Sequence, residues 1–119
     1  MKNNNENSTR FFSDAHEKSV CKALNGHQTA NSGAGHFSKG DVLLNDVSLM
    51  IECKTCMKDK DSFSIKREWL DKNKQEKFSM RKANTALCFN FGPGQENYYV
   101  IDEKLMKFLV QQLSIDERD

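Results

Sequence analysis

The chain has 119 residues, a length typical of one domain, and its 37% hydrophobic content is enough for one modest core. Its net charge of +1 does not by itself indicate an acidic or basic partner. The sequence has no apolar run long enough to span a membrane, and the polar N-terminus lacks the apolar core of a signal peptide. We therefore expect a cytoplasmic protein.

Residues 1–10 are polar and rich in asparagine, which predicts a disordered tail. A single folded domain is expected over residues 11–115. Ser13 is the predicted N-cap of a first helix, which ends near Leu24 with Gly26 as its stop.

A weak strand is predicted at residues 27–31, and it leads into a glycine-rich loop at residues 32–35. A tight β-hairpin follows, with Asn45 and Asp46 at its tip. Because side chains alternate along a strand, the hairpin has two chemically different faces. The face predicted to join the core carries Val42, Leu44, Val47, Leu49, Ile51 and Cys53, and the other face carries Asp41, Met50, Glu52 and Lys54.

The predicted hairpin register pairs Asp41 with Met50. Asp41 and Glu52 then become diagonal cross-strand neighbours, roughly 7–8 Å apart at the backbone. Two carboxylates at this spacing can converge on one cation, so the polar face of the hairpin is the first candidate for a functional site.

The remaining elements complete an α/β fold with a mixed central sheet flanked by helices, in the order α-β-β-β-α-β-β-α. A long helix is predicted at about 66–83, with Trp69, Asn73, Met80 and Ala83 near one stripe. Strands at 85–91 and 97–101 are joined by a turn at 92–94. A last helix, at about 103–113, is expected to cover the sheet with Leu105, Met106, Leu109, Val110 and Leu113.

Charge is distributed unevenly along the chain. Residues 58–82 contain nine lysines and arginines against five acidic residues. Such a segment is compatible with a face that meets a polyanion, although charged helices are often simply solvated.

The four cysteines are expected to be reduced in the cytoplasm. Cys53 and Cys56 have the Cys-x-x-Cys spacing of zinc ligands, but a structural zinc needs two further ligands and the sequence has no second pair. Cys21, Cys88 and the histidines are scattered along the chain. We therefore interpret Cys53 as a small apolar side chain of the core face.

Several segments together resemble the PD-(D/E)XK nuclease superfamily and, within it, the small Holliday junction resolvases. They are Glu17 in the first helix, Ser32-Gly-Ala-Gly35, Gly40-Asp41 and Ile51-Glu-Cys-Lys54. The resemblance covers about residues 13–102, and Gly40 stands where the superfamily name has proline. It implies a restriction-endonuclease-like fold and a homodimeric endodeoxyribonuclease that resolves Holliday junctions or related branched DNA.

Phosphodiester hydrolysis needs an activated water and charge stabilisation, and Mg²⁺ or Mn²⁺ supplies both. These hard cations prefer carboxylate oxygens, so Asp41 and Glu52 are the predicted direct ligands. Lys54 is predicted to orient or help deprotonate the attacking water and to offset phosphate charge.

Further roles follow from the resemblance. It implies that the Cys53 carbonyl helps to hold the metal, and Glu17 is expected to bind metal through water or to complete a second site. It also places Ser32 at a position that holds the scissile phosphate. The predicted DNA contacts are His36, Lys39, Lys66, Arg67 and Lys74.

Two alternatives remain open at the level of sequence. One is another nuclease of the same superfamily, acting on linear, nicked or single-stranded DNA. The other is a DNA-binding module that has the same fold without hydrolysis. The presence of Asp41, Glu52 and Lys54 together favours a catalytic protein.

Overall fold

The five strands form one mixed sheet in the order β1-β2-β3-β4-β5, in a computed structural model that describes residues 9–29 and 41–118. The strands are β1 (Gly26–Gln28), β2 (Val42–Leu44), β3 (Leu49–Lys54), β4 (Asn84–Phe89) and β5 (Tyr98–Val100). The helices are α1 (Thr9–Leu24), α2 (Arg67–Ser79) and α3 (Glu103–Arg118). The α/β class is confirmed.

Strand β3 lies at the centre of the sheet. It pairs with β2 in the antiparallel sense and with β4 in the parallel sense. A parallel pair requires a crossover between its strands, and α2 lies within that connection. The parallel register places Glu52 beside Leu87 and Cys53 beside Cys88, so each face of β3 continues directly onto β4.

The sheet has one face towards α1 and one towards α2. The α1 face holds the main core, which consists of Val20, Val42, Leu44, Ile51, Cys53, Ala86 and Cys88. On the opposite face, Met50 and Leu87 are fully buried. The polar face of the predicted hairpin is therefore not fully exposed to solvent. Helix α2 packs on this side of the sheet, and Met50 on this face is buried.

The predicted hairpin register is wrong by two residues. Val42 pairs with Ile51, and residues 45–48 form a longer loop than the predicted two-residue turn. The side chains of Asn45 and Asp46 bond to His27 and Asn25 near β1 and do not close a tight turn. A shift of two residues leaves each side chain on its predicted face. The exception is Val47, which lies exposed in the loop and not in the core.

The first helix begins at Thr9, before the predicted N-cap, and the Ser13 hydroxyl donates to the Thr9 carbonyl inside the helix. The helix start thus precedes the predicted domain start at residue 11. After Leu24, Asn25 takes a positive φ of 57° and ends the helix. Gly26 is already part of β1, where a Cβ would approach the Leu43 carbonyl to 2.9 Å, so close packing explains this glycine better than a helix stop does.

Helix α2 ends at Ser79, and Arg81 follows with a positive φ of 56°, so the predicted extension to residue 83 is wrong. Its N-cap is Lys66. Strand β1 is shorter than predicted, although Thr29 still donates to the Asp41 carbonyl. The predicted residues 30 and 31 of this strand lie outside the described ranges.

Helix α3 does not cover the sheet as predicted. Six of its large apolar side chains are between 42 and 60% exposed, namely Met106, Phe108, Leu109, Val110, Leu113 and Ile115. The reason is that α1 and α2 already occupy the two faces. No helix in the described ranges has the length and apolarity to span a bilayer.

Candidate active site

Asp41, Glu52 and Lys54 come together at one end of β2 and β3. The β2–β3 pairing ends at Val42 and Ile51, and Asp41 and Glu52 are the next residues of the two chain segments, so the observed register brings them closer together than the predicted diagonal arrangement does. The Asp41 Oδ2 atom accepts a 2.8 Å hydrogen bond from the Cys53 amide. The Lys54 Nζ atom lies 3.8 Å from Glu52 Oε2. One strand end thus holds two carboxylates and an ammonium group.

Helix α2 closes this strand end into a pocket of about 200 Å³. The pocket is lined by Glu52 and Lys54 from β3 and by Glu68, Trp69, Lys72 and Asn73 from α2. Lys54 Nζ also lies 4.5 Å from the centre of the Trp69 ring, a cation–π distance. The Glu52 and Lys54 side chains are 20 and 28% exposed, so both are partly withdrawn from water while remaining accessible from the pocket.

A third carboxylate belongs to this site and was not predicted. Glu76 on α2 is only 6% exposed, and its Oε1 atom is one of the buried polar atoms that lack a hydrogen-bond partner within the described residues. Its other oxygen lies 3.8 Å from Lys72 Nζ. A buried carboxylate oxygen without a partner is costly, which suggests that it faces a ligand when the site is occupied.

Burial and neighbouring carboxylates disfavour ionisation of Glu52 in the metal-free site. Burial, followed by the Asp41 carboxylate, raises the pKa of Glu52 to about 8, and Glu76 adds to this effect. Lys54 and Lys72 act in the opposite direction. If all three carboxylates were ionised, they would exceed the two ammonium groups in charge, and a divalent cation would stabilise that ionised state.

The remaining predicted metal ligands lie elsewhere. Glu17 is buried on α1 and accepts a 3.0 Å hydrogen bond from Gln28, so it lies on the sheet face opposite Glu52 and Lys54. The Cys53 side chain points to the α1 face and its backbone amide donates to Asp41, whereas the prediction concerns its backbone carbonyl and stays a prediction. The predicted phosphate-holding residue Ser32 lies outside the described residues.

The predicted DNA contacts are dispersed. Lys66 Nζ lies 5.6 Å from the Trp69 ring centre, beside the pocket. Arg67 is exposed and pairs with Asp71 at 4.0 Å, and Lys74 lines a separate cavity of about 120 Å³. His36 and Lys39 lie outside the described ranges.

A second cluster of potential metal ligands occupies the α1 face of the sheet. The nearest ligand atoms of His16, Cys53 and Cys88 all lie within 4.8 Å of one another. The hydrogen bond with the Cys53 thiol lowers the pKa of Cys88 to about 6, with a further contribution from His16, while the pKa of Cys53 is raised. The two cysteines of the Cys-x-x-Cys pair are therefore not ligands of one site. Cys53 belongs to the group with His16 and Cys88, and Cys56 does not.

Comparisons of the chain with family models, with curated proteins and with solved structures gave no match. Function therefore has to be inferred from the chemistry of the two clusters. The site on the α2 face has hard oxygen donors, a nearby ammonium group and an open pocket, whereas the cluster on the α1 face has sulfur and nitrogen donors.

The raised pKa of Glu52 predicts how stability depends on pH in metal-free protein. The folded chain binds the Glu52 proton more tightly than the unfolded chain, so this stabilisation is complete below pH 4.5 and is lost as the pH rises through about 8. Glu52→Gln mimics the protonated form. At alkaline pH the free energy of unfolding of this variant should therefore be larger than that of the wild type by roughly a few kcal/mol.

Urea unfolding in EDTA at a series of pH values measures this difference. Glu103→Gln is the matched control, because Glu103 is an exposed carboxylate paired only loosely with Lys107 at 3.5 Å. Parallel pH profiles for wild type and Glu52→Gln would contradict the raised pKa.

Proposed function

We propose that this chain is a metal-dependent endodeoxyribonuclease of the PD-(D/E)XK type that resolves Holliday junctions or related branched DNA. The observation that carries the proposal is the Asp41 carboxylate bonded to the Cys53 amide, next to Glu52, with Lys54 Nζ 3.8 Å from Glu52, beside an open pocket. A hairpin that served only stability would not need two carboxylates on a partly buried face.

The donor set fits a hard divalent cation. Asp41 and Glu52 would hold Mg²⁺ or Mn²⁺ through carboxylate oxygens, and the Oε1 atom of Glu76, which lacks a hydrogen-bond partner within the described residues, offers a further oxygen near Glu52. When bound, the ion would lower the pKa of an attacking water and stabilise charge on the phosphate and the leaving oxygen.

Lys54 has two roles in this proposal. Its ammonium group orients the attacking water and balances charge on the scissile phosphate. The Trp69 ring, 4.5 Å from Nζ, limits where that ammonium group can lie. Lys72, which lines the pocket, and Lys66, which lies beside the Trp69 ring, would contact DNA phosphates.

A homodimer fits a junction substrate. A four-way junction presents two equivalent scissile phosphates related by a two-fold axis, and one domain with one metal site reaches only one of them. The exposed apolar surface of α3 supplies an interface that the chain's own sheet does not use. We therefore propose that α3 packs against α3 of a second copy.

The direct test compares a labelled four-way junction, a linear duplex of the same sequence and single strands, each with Mg²⁺ and with EDTA. We expect Mg²⁺-dependent symmetric cleavage of the junction and much weaker cleavage of the other substrates. Equal cleavage of junction and duplex would retain the nuclease and reject the resolvase. Tight junction binding without cleavage in Mg²⁺ or Mn²⁺ would instead indicate a non-catalytic binding module.

A further inference from the structure

The His16, Cys53 and Cys88 cluster lies under the strand that carries the candidate active site. These residues are 5, 9 and 0% exposed, and they belong to α1, β3 and β4 respectively. Parallel pairing of Cys53 with Cys88 brings the two sulfurs side by side, and α1 lays His16 over them, with Nε2 at 3.4 Å from Cys88 Sγ. Three separate elements therefore converge on one small volume.

We propose that His16, Cys53 and Cys88 form a binding site for one thiophilic divalent cation, with Zn²⁺ as its probe. Zinc binds sulfur at about 2.3 Å and imidazole nitrogen at about 2.0–2.1 Å, so its ligand atoms lie roughly 3.3–3.8 Å apart in a tetrahedron. The nitrogen–sulfur distance of 3.4 Å already meets this geometry. The largest separation in the cluster is below 4.8 Å, so closure around the ion needs only a modest contraction.

The imidazole ring of His16 is oriented for such a role. Its Nδ1 atom lies 2.9 Å from the Thr55 hydroxyl oxygen. A hydrogen bond from Nδ1–H to this oxygen selects the tautomer that leaves Nε2 unprotonated and directed at Cys88. Metal-binding histidines are held in the same way by a partner on the ring nitrogen that does not bind the metal.

A pocket of about 170 Å³ borders the cluster on the His16 side. It is lined by His16, Thr55 and Cys56, together with residues of α1 and of the loop after β4, and the two ligand cysteines lie behind the imidazole. An ion that enters from this pocket has to pass the imidazole ring to reach the thiols, and a water molecule is the fourth ligand in this proposal. Cys56 lines the entrance but is not a ligand in this proposal.

This site is chemically distinct from the Mg²⁺ site proposed above and does not depend on it. The Cys53 thiol points to the α1 face, whereas Glu52 and Lys54 point to the α2 face of the same strand. Sulfur and imidazole ligands select zinc or a similar soft ion, and carboxylates select magnesium. A metal ion bound by the cluster would cross-link α1, β3 and β4, and β3 is the strand that carries Glu52 and Lys54.

The test begins with full-length protein that has been reduced and freed of metal. Titration with Zn²⁺ against a chromophoric chelator should show one tight equivalent that excess Mg²⁺ does not displace. Co²⁺ should give the thiolate-to-metal charge-transfer band of a sulfur-ligated ion. His16→Gln, Cys53→Ser and Cys88→Ser should each weaken Zn²⁺ binding by about a hundred-fold or more. Cys56→Ser and His27→Gln should bind as the wild type does.

X-ray absorption of the zinc-loaded wild type keeps the proposal testable if a core variant fails to fold. Two sulfur ligands with nitrogen or oxygen completing the shell are expected. Zinc with no sulfur ligand or with four sulfur ligands would overturn the assignment. Loss of the tight equivalent in Cys56→Ser, or its retention in a folded Cys88→Ser variant, would do the same.

Discussion

Glu52→Gln and Asp41→Asn should each abolish Mg²⁺-dependent junction cleavage while leaving the fold and most of the DNA affinity intact. Each substitution removes a proposed ligand that acts on the transition state, a loss of about 4 kcal/mol or roughly a thousand-fold in rate. DNA affinity comes mainly from phosphate neutralisation by basic groups, and removing a carboxylate does not weaken that term. Single-turnover cleavage and junction binding, measured on the same preparations, separate the two effects.

Companion variants test the other members of the site. Lys54→Ala should also abolish cleavage, because it removes the ammonium group beside Glu52. Glu76→Gln should require about ten to a hundred times more Mg²⁺ for the same rate, since it removes one carboxylate charge near Glu52. Glu103→Gln is the surface control and should cleave normally. Full cleavage by Glu52→Gln, or undiminished cleavage in EDTA, would reject the site.

The periodicity of the hairpin was enough to predict which face each strand side chain occupies, and only the predicted core residue Val47 lies in the loop instead. Val42, Ile51 and Cys53 are buried on one face, and Glu52 and Lys54 lie on the other. The register was not predictable, because it depends on hydrogen bonds that the Asn45 and Asp46 side chains accept from His27 and Asn25, which precede β2. The sequence predicts a tight turn at Asn45 and Asp46, but side-chain contacts to distant residues hold a longer loop at residues 45–48.

The contribution of α2 to the site could not be read from the hairpin alone. Only the packing of the helix on the sheet shows that Lys72 and Glu76 face Glu52. A signal was present, because Trp69, Asn73 and Glu76 recur at helical spacing and form a mixed inward stripe in place of an apolar one. Polar residues at inward positions of a helix are unusual in a simple core.

The His16, Cys53 and Cys88 cluster was missed for a different reason. Its members are far apart in sequence, so no ligand spacing predicts them. The Cys-x-x-Cys spacing instead pairs Cys53 with Cys56, which is not part of the cluster. Pairing of the predicted strands would have placed Cys53 near Cys88, but parallel register cannot be set without the crossover that α2 provides.

For α3, the amphipathic pattern predicts packing on the sheet, and this prediction is wrong. Its apolar stripe predicted a helix covering the sheet, yet the stripe is exposed. An amphipathic pattern specifies a face to be buried and does not specify what buries it. A partner copy is the occupant we propose, since a symmetric helix pair would bury this stripe in both chains at once.

Leu109→Asp and Leu113→Asp should therefore convert a dimer into a monomer. A leucine side chain that leaves a buried interface loses about 1.5–3 kcal/mol, and two-fold symmetry doubles this to about 3–6 kcal/mol. The dimer dissociation constant should rise by at least about a hundred-fold. Gln111→Asp is the matched control, because it adds the same charge to the opposite side of α3.

Analytical ultracentrifugation at assay concentrations gives the oligomeric state, and cleavage of a junction labelled on two strands gives the functional consequence. The monomeric variants should nick one strand slowly and lose symmetric, paired incision, because each retains its own metal site but lacks the second one across the two-fold axis. Wild-type protein that sediments as a monomer and still makes paired incisions would reject α3 as the interface. Monomeric wild type that cuts duplex and junction alike would also reject the resolvase proposal, while the roles of Asp41 and Glu52 would still be judged by their own variants.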